Sequence, residues 1–400
     1  MTRETAHTSP VKVNRRSFLA RTLAGAVGVG GLAWAGGAAR AAASQKKGFN
    51  PSELQAMEAT AAAFMKQHEV PGLSVAMARK GRLVYAQGYG LADKAKDEKV
   101  TPDHLFRIAS VTKPITSVAV FRLIEAGKLR LEDKVFGPGG VLGTAYGEPP
   151  YLPHVGELTL EHLLTHTAGG WANDGADPMF SHPQMDHRQL ITWTLAHQPL
   201  NHAPGEQYAY SNFGYCLLGR VIEQISAKSY EQAVREQVLA PCGVTRMRLG
   251  GNTLAERADQ EVVYYDQDGA NPYGMKVRRM DSHGGWLATP TDLVRFLVHV
   301  DGFPTVPDLL KPMTIKTMTT PSSASSSYAK GWCVNREGNW WHNGSLPGTI
   351  TIMVRTSGEF CWAGLTNTRN TKSSIGGDLD RLMWAMVGKI RQWPEMDTRG

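Results

Sequence analysis

Phe106-Arg107-Ile108-Ala109-Ser110-Val111-Thr112-Lys113 places a hydroxyl and an amine one helical turn apart. Residues three apart on a helix share a face, so a lysine whose charge is suppressed by burial can take the proton of Ser110. The positive end of the helix dipole favours the resulting alkoxide. A solvent-facing helix start with Ser110 as its N-cap has the same spelling, and the tetrad alone does not separate the two.

Two elements further along add to it. Tyr208-Ala209-Tyr210-Ser211-Asn212 follows the turn signal Pro204-Gly205 and precedes an apolar helix-like run over residues 213–225. Trp341-His342-Asn343-Gly344 ends one strand-like run and precedes another over residues 349–354. As residues alone, Tyr208, Tyr210 and Tyr215 also make an aromatic core cluster, and His342 a satisfied sheet histidine. In order, however, Ser-x-x-Lys, Tyr-x-Asn and His-x-Gly resemble the motifs of the penicillin-recognising serine hydrolases. That group holds class C β-lactamases, D-alanyl-D-alanine carboxypeptidases, D-aminopeptidases and β-lactamase-like esterases. Leu163-Leu164-Thr165-His166-Thr167-Ala168-Gly169 resembles its Leu-Leu-x-His-x-Ser-Gly turn, with alanine for the usual serine. His283-Gly284-Gly285-Trp286 and the helix start after it resemble the group's Gly-Gly turn. The resemblance covers about residues 50–390.

The resemblance implies a nucleophile at Ser110, with Lys113 and Tyr210 as a coupled proton-transfer pair. Either could be the formal base, and the lysine charge is expected to lower the pKa of the phenol. The backbone N–H groups of Ser110 and Ser345 would form the oxyanion hole. Asn212 would hold an acyl-side carbonyl and steady Lys113, while His342, Asn343 and Gly344 would line the groove. Many β-lactamases carry lysine where His342 stands, and a neutral histidine pairs weakly with a substrate carboxylate at pH 7. With no Glu-x-x-Leu-Asn segment present, deacylation would rely on Tyr210 and Lys113. The expected activity is an exported serine hydrolase forming an acyl-serine on esters or amides, as a carboxylesterase or weak β-lactamase. The alternatives are a peptidoglycan D,D-carboxypeptidase or D-aminopeptidase, and a non-turnover penicillin-binding or sensor protein. The partner class is thus a small ester, lactam or peptide, with no cofactor.

Asn50-Pro51-Ser52-Glu53 reads as a helix start, with Asn50 as cap and Glu53 closing a box; the helix runs toward His68. Strand-like runs at 71–78 and 83–89 flank the turn Arg79-Lys80-Gly81-Arg82 and predict a hairpin. A helix from Ser110 through Leu123 ends at Gly127. Helices and loops fill the chain to about residue 280. Strands return at 328–334, 339–342, 349–354 and 360–366, and a helix over 374–390 closes the chain. Strands at both ends around a helical middle imply an α+β fold: one antiparallel sheet flanked by N- and C-terminal helices, plus a mostly helical lobe. This is the β-lactamase/transpeptidase-like arrangement. The sheet lobe would comprise about 50–109 and 281–392 and the helical lobe about 110–280, within a domain over 44–395 and with the groove between the lobes.

Residues 1–43 read as a twin-arginine-type signal peptide, from Asn14-Arg15-Arg16-Ser17-Phe18-Leu19 and the uncharged stretch at 22–39. An uncleaved anchor is the alternative, since the stretch just reaches spanning length. Cleavage would place the protein in the periplasm or outside the cell, with the twin-arginine export machinery as a partner and no stable membrane anchor. The segment carries most of the chain's net charge of +7, so the basic excess does not indicate nucleic acid as a partner. The four cysteines, Cys216, Cys242, Cys333 and Cys361, are too scattered for a disulfide framework or metal site. Cys333 and Cys361 fall in neighbouring strand-like runs, where a bridge is conceivable and buried free thiols are the plainer reading. His162 and His166 have i, i+4 spacing, but Leu163 stands where a His-Glu-x-x-His zinc site needs glutamate, so no metal is expected. The absence of Gly-x-Ser-x-Gly argues against an α/β-hydrolase.

Overall fold

Side-chain alternation in the central strands sets the layers. In β1 (Gly72–Arg79), Leu73, Val75 and Met77 face one core while Ala76 and Ala78 face another. The same division recurs in β7 (Phe360–Thr366), where Trp362 faces the first core and Cys361, Ala363 and Leu365 the second. A sheet buried on both faces needs a helical layer on each. One layer is α1 (Pro51–Gln67) with α6 (Ile375–Val387), which contribute Met57, Phe64, Leu379 and Met383. The opposite layer includes α2 (Thr112–Glu125), α4 (Asn212–Ser226) and α5 (Pro290–Val298).

The chain is described by a computed structural model over residues 48–394 except Ala176. The expected export segment at 1–43 and the expected domain ends lie outside the described residues. The main sheet has seven strands in the order β3-β2-β1-β7-β6-β5-β4, all antiparallel. The remaining strands are β2 (Arg82–Asp93), β3 (Glu98–Lys99), β4 (Cys333–Val334), β5 (Trp340–Leu346) and β6 (Thr349–Arg355). N-terminal and C-terminal strands therefore meet at the β1–β7 pair, with Ala76 opposite Ala363. Between them stand α2, α3 (His187–His197) and α4, along with shorter helical turns. No helix among the described residues is long and apolar enough to cross a membrane.

Several expected elements differ in detail. Asn50 caps α1 by accepting from the Ser52 N–H at 2.9 Å, but Glu53 closes no box. Its carboxylate instead accepts from the Arg391 N–H at 3.3 Å, joining α1 to the C-terminal segment. The strand expected over 328–334 is confined to Cys333–Val334, because the chain turns at Gly331, φ +88°, against Ser117. Conversely, β5 runs through Leu346, so His342-Asn343-Gly344 lies inside a strand rather than after one. The helical middle also holds a strand piece, Arg248–Leu249, which pairs with Trp286–Ala288, as does Phe106–Arg107. All four cysteines are free. Cys333 on β4 and Cys361 on β7 are separated by β5 and β6, so they are not sheet neighbours.

Candidate active site

The segment leading to Ser110 is held from behind by β6. Thr351 donates its hydroxyl to the Ile108 carbonyl at 2.8 Å, and Thr349 donates to the Arg107 carbonyl at 3.1 Å. These hydroxyls point to the helical-lobe side of a strand whose other face is Ile350, Ile352 and Val354. Arg107 is buried as well; its guanidinium donates to the Gly251 carbonyl at 3.1 Å and lies over the Tyr264 ring. With the backbone fixed on both sides, Ala109 adopts φ +49°, a left-handed conformation costing a non-glycine residue about 1–3 kcal/mol. Ser110 follows in a tight 3-10 turn, Ala109–Val111, that runs into α2. It sits inside the turn, and no side-chain cap opens the helix.

Gly344 lets β5 approach this turn. A Cβ there would lie 2.4 Å from the Ile108 carbonyl oxygen, 2.4 Å from Thr351 Oγ1 and 3.0 Å from Ala109 Cβ. Any side chain would push the strands apart. The next residue, Ser345, is exposed and paired with Ile350, so its backbone runs beside the Ser110 turn.

Lys113 is completely buried, and burial drives its pKa well below the usual lysine value, with Asp177 pulling weakly the other way. Its Nζ has three oxygen neighbours: Asn212 Oδ1 at 2.8 Å, the His283 carbonyl at 3.0 Å and Ser110 Oγ at 3.1 Å. A neutral amine has two hydrogens and one lone pair. The amide and backbone carbonyls can only accept, so they take the hydrogens. In the neutral form that burial favours, the lone pair is left facing the Ser110 hydroxyl.

Tyr210 lies with its ring 4.7 Å from Lys113 Nζ, and its phenol shares a hydrogen bond with Ser110. Its pKa was expected to fall under the lysine charge. It rises instead, well above the ordinary phenol value, because burial outweighs the Ser110 hydrogen bond. The desolvation that favours neutral Lys113 also works against the cation that would have stabilised a phenolate.

Asn212 opens α4, where the Ser211 hydroxyl caps the helix by accepting from the Gly214 N–H at 3.0 Å. Behind Asn212 lies Asp177, which the sequence reading did not single out. The Asn212 backbone N–H donates to Asp177 Oδ2 at 2.7 Å, and the Asn212 side chain hydrogen-bonds the same carboxylate. The only sequence signal was Asp177-Pro178, an N-cap followed by proline at the first helical position.

His342 is 2% exposed, and both its nitrogens are occupied. Nδ1–H donates to the Asn343 carbonyl at 2.7 Å, while Nε2 accepts from the Tyr328 hydroxyl at 3.2 Å. Tyr328 in turn accepts from His166 Nε2–H at 3.1 Å, and His166 Nδ1 accepts from the Ser211 N–H at 3.1 Å. With both rings in the neutral form that burial favours, the backbone groups at each end set the donors in between. Burial pushes the His342 pKa down to about 3, so the ring is neutral. Asn343, by contrast, is exposed. His166, with φ +58°, lies beyond the short helix Leu160–Leu164, so it shares no helical face with His162. At the rim, Phe180 is 46% exposed and packs edge-on to the His283 ring, 6.4 Å between centroids.

Comparisons with known proteins bear on the fold and the family. The chain is 24% identical over 306 residues to Protein flp of Staphylococcus aureus strain MRSA252, an alignment covering 72% of this chain and 58% of that protein. The chain thus spans under two thirds of that relative's length. Among solved structures, the D-amino acid amidase of Ochrobactrum anthropi SV3 matches with a TM-score of 0.69 and 21% identity, covering 84% of this chain and 98% of the amidase. EstCE1, described as a hydrolase with promiscuous acyltransferase activity, matches with a TM-score of 0.66 and 18% identity, covering 85% of this chain and 99% of EstCE1. These likenesses establish the α+β fold with its large antiparallel sheet. The beta-lactamase family model matches residues 57–382, and the chain belongs to that family, within the serine β-lactamase and penicillin-binding-protein-like superfamily.

Proposed function

We propose that this protein hydrolyses esters through an acyl-Ser110 intermediate, as a carboxylesterase with at most weak β-lactamase activity. The observation that carries the reading is the buried Lys113 amine, whose Nζ lies 3.1 Å from Ser110 Oγ while Asn212 Oδ1 and the His283 carbonyl take its other contacts at 2.8 and 3.0 Å. Lys113 Nζ takes the Ser110 proton as Oγ bonds to the acyl carbon, and the backbone N–H groups of Ser110 and Ser345 receive the oxyanion. Tyr210, a neutral phenol, gives its proton to the leaving oxygen and is reprotonated from Lys113. Water then attacks the acyl-serine, its proton passing to Lys113, and Ser110 leaves with a proton restored.

The neutral state of His342 supports the ester preference. Its strand offers no cation from that ring to a substrate carboxylate, and both ring nitrogens are engaged internally. The exposed Phe180 beside His283 suits an apolar acyl group. Export through the twin-arginine route belongs to the same proposal, supported by Arg15-Arg16 and the uncharged stretch after it.

The test is steady-state turnover of p-nitrophenyl esters, nitrocefin and D-Ala-D-Ala peptides, with Ser110→Ala as control. Ester turnover far above the other two, abolished in the control, is expected. Strong D-peptide turnover with negligible ester turnover would overturn the preference. Undiminished ester turnover in S110A would overturn the nucleophile.

A further inference from the structure

Asp177 is 2% exposed and stands at the start of the short helical turn Pro178–Ser181. Its two carboxylate oxygens do different things. Oδ1 accepts from the Met179 N–H at 3.0 Å and so caps the turn Pro178–Ser181, which carries Phe180. Oδ2 accepts from the Asn212 N–H at 2.7 Å, and the Asn212 side chain hydrogen-bonds the carboxylate too. An amide can rotate end for end, which would turn its NH2 group toward Lys113 and leave the amine without its acceptor. A carboxylate accepts only, so it holds the amide donor and leaves Oδ1 of Asn212 for Lys113.

We propose that Asp177 is a positioning residue for the Ser110–Lys113 pair: by fixing Asn212 it directs one Lys113 hydrogen to Oδ1 and leaves the amine lone pair for the Ser110 hydroxyl. The same carboxylate ties the Phe180 turn to this arrangement, so the acyl-contacting rim and the base share one anchor. The inference rests on Ser110 being the nucleophile.

Asp177→Asn separates the two jobs. Asparagine caps a helical turn as well as aspartate, so the Met179 contact is kept. Its second atom becomes an NH2 facing the Asn212 donors, and the orientation of Asn212 is lost. The charge is lost as well. Around Lys113 stand the Ser110 hydroxyl, the Tyr210 and Tyr215 rings, Asn212, and the histidines at 166, 283 and 342, whose pKa values all lie below the ordinary value. Asp177 supplies the negative charge that favours protonated Lys113. Its own surroundings include Lys113 and the Cys216 thiol, and Arg279, which donates to the Met179 carbonyl of the capped turn. Burial raises the pKa of the Asp177 carboxyl to about 6, so removing it takes that titration out of the profile and takes the negative charge from beside Lys113, and the acid limb of the rate profile moves to lower pH.

With p-nitrophenyl butyrate as the probe, D177N is expected to lose on the order of tenfold to a hundredfold in kcat with little change in KM, the scale of a misplaced reacting group. Its acid limb should shift downward while its thermal midpoint stays near wild type. Asp177→Ser, which caps Met179 through a single oxygen, should show the same kinetic pattern. Wild-type kcat and an unmoved acid limb in D177N would overturn the proposal. So would loss of the folded near-UV signal in both variants, which would make Asp177 a structural residue. Retained turnover in S110A strikes at the nucleophile reading instead, and the two failures are read separately.

Discussion

The hydroxyl of Tyr328 donates to Nε2 of His342 across 3.2 Å. Burial holds the His342 pKa at about 3, so the ring is neutral; with its Nδ1–H committed to the Asn343 carbonyl, Nε2 is the acceptor. His342 is thus a buried, neutral acceptor that joins β5 to His166 and the backbone beside Tyr210.

The neutral state makes stability depend on pH in a defined direction. The folded pKa of His342 is about 3, while an unfolded histidine titrates near 6.5. Below pH ~6.5 the unfolded chain binds the extra proton, so this contribution is full above that value and is lost as pH falls toward 3. His342→Gln removes the dependence. Between pH 7.5 and 5.0, the stability advantage of wild type over H342Q is expected to shrink by about 2 kcal/mol, at about 1.36 kcal/mol per pH unit. Urea unfolding at the two pH values measures it, and a constant difference would refute a neutral His342.

Tyr328→Phe keeps the ring but removes the hydroxyl that serves two histidines. His166 Nε2–H and His342 Nε2 then lose their partner together while remaining buried. A buried polar group left unmatched costs about 1–3 kcal/mol, so Y328F should unfold at lower urea concentration with an unchanged slope. The aromatic contacts of Tyr328 with Tyr208 and Tyr210 are retained, which isolates the hydrogen bonds. A midpoint equal to wild type would show that the chain of donors adds nothing.

Much of this site was legible because its chemistry is written in short spacings. Ser110, Lys113, Tyr210 and Asn212 converge as the ordered motifs suggested, and the β1–β2 hairpin announced itself through Lys80-Gly81, both in the left-handed region. The supporting residues were harder. Asp177 and Tyr328 reach the site through tertiary packing from loops, and no local pattern ties them to Asn212 or His342. The alternation of Thr349 and Thr351 with Ile350 and Ile352 did hold a signal, since paired hydroxyls on one face of an otherwise apolar strand need buried acceptors. The direction of the Tyr210 shift was misread for a physical reason: spacing reveals that a lysine is near, but not that burial raises the phenol's pKa and lowers the lysine's.

Gly344 is where the sheet has to touch the nucleophile turn, and substitution there should act on catalysis through geometry. Gly344→Ala places a Cβ 2.4 Å from the Ile108 carbonyl oxygen, a backbone atom that cannot swing aside. β5 must retreat from the Ala109–Val111 turn and carry the Ser345 N–H with it. A displacement near 1 Å costs on the order of a hundredfold in rate. Turnover of p-nitrophenyl butyrate by G344A should fall by that order while fluorophosphonate still labels Ser110 slowly; wild-type turnover would remove Ser345 from the proposed oxyanion site.

Phe180 tests the acyl side of the groove without disturbing the core. It is 46% exposed, so Phe180→Ala should change stability by less than about 0.5 kcal/mol, as for other surface substitutions. Its edge contact with His283 stands beside the carbonyl that holds Lys113. An apolar acyl chain seated there would gain about 0.8 kcal/mol for each methylene it buries. The kcat/KM ratio of p-nitrophenyl hexanoate to p-nitrophenyl acetate should therefore fall several-fold in F180A, carried by the longer ester. An unchanged ratio would place the acyl chain elsewhere, because loss of Phe180 would then affect both esters alike.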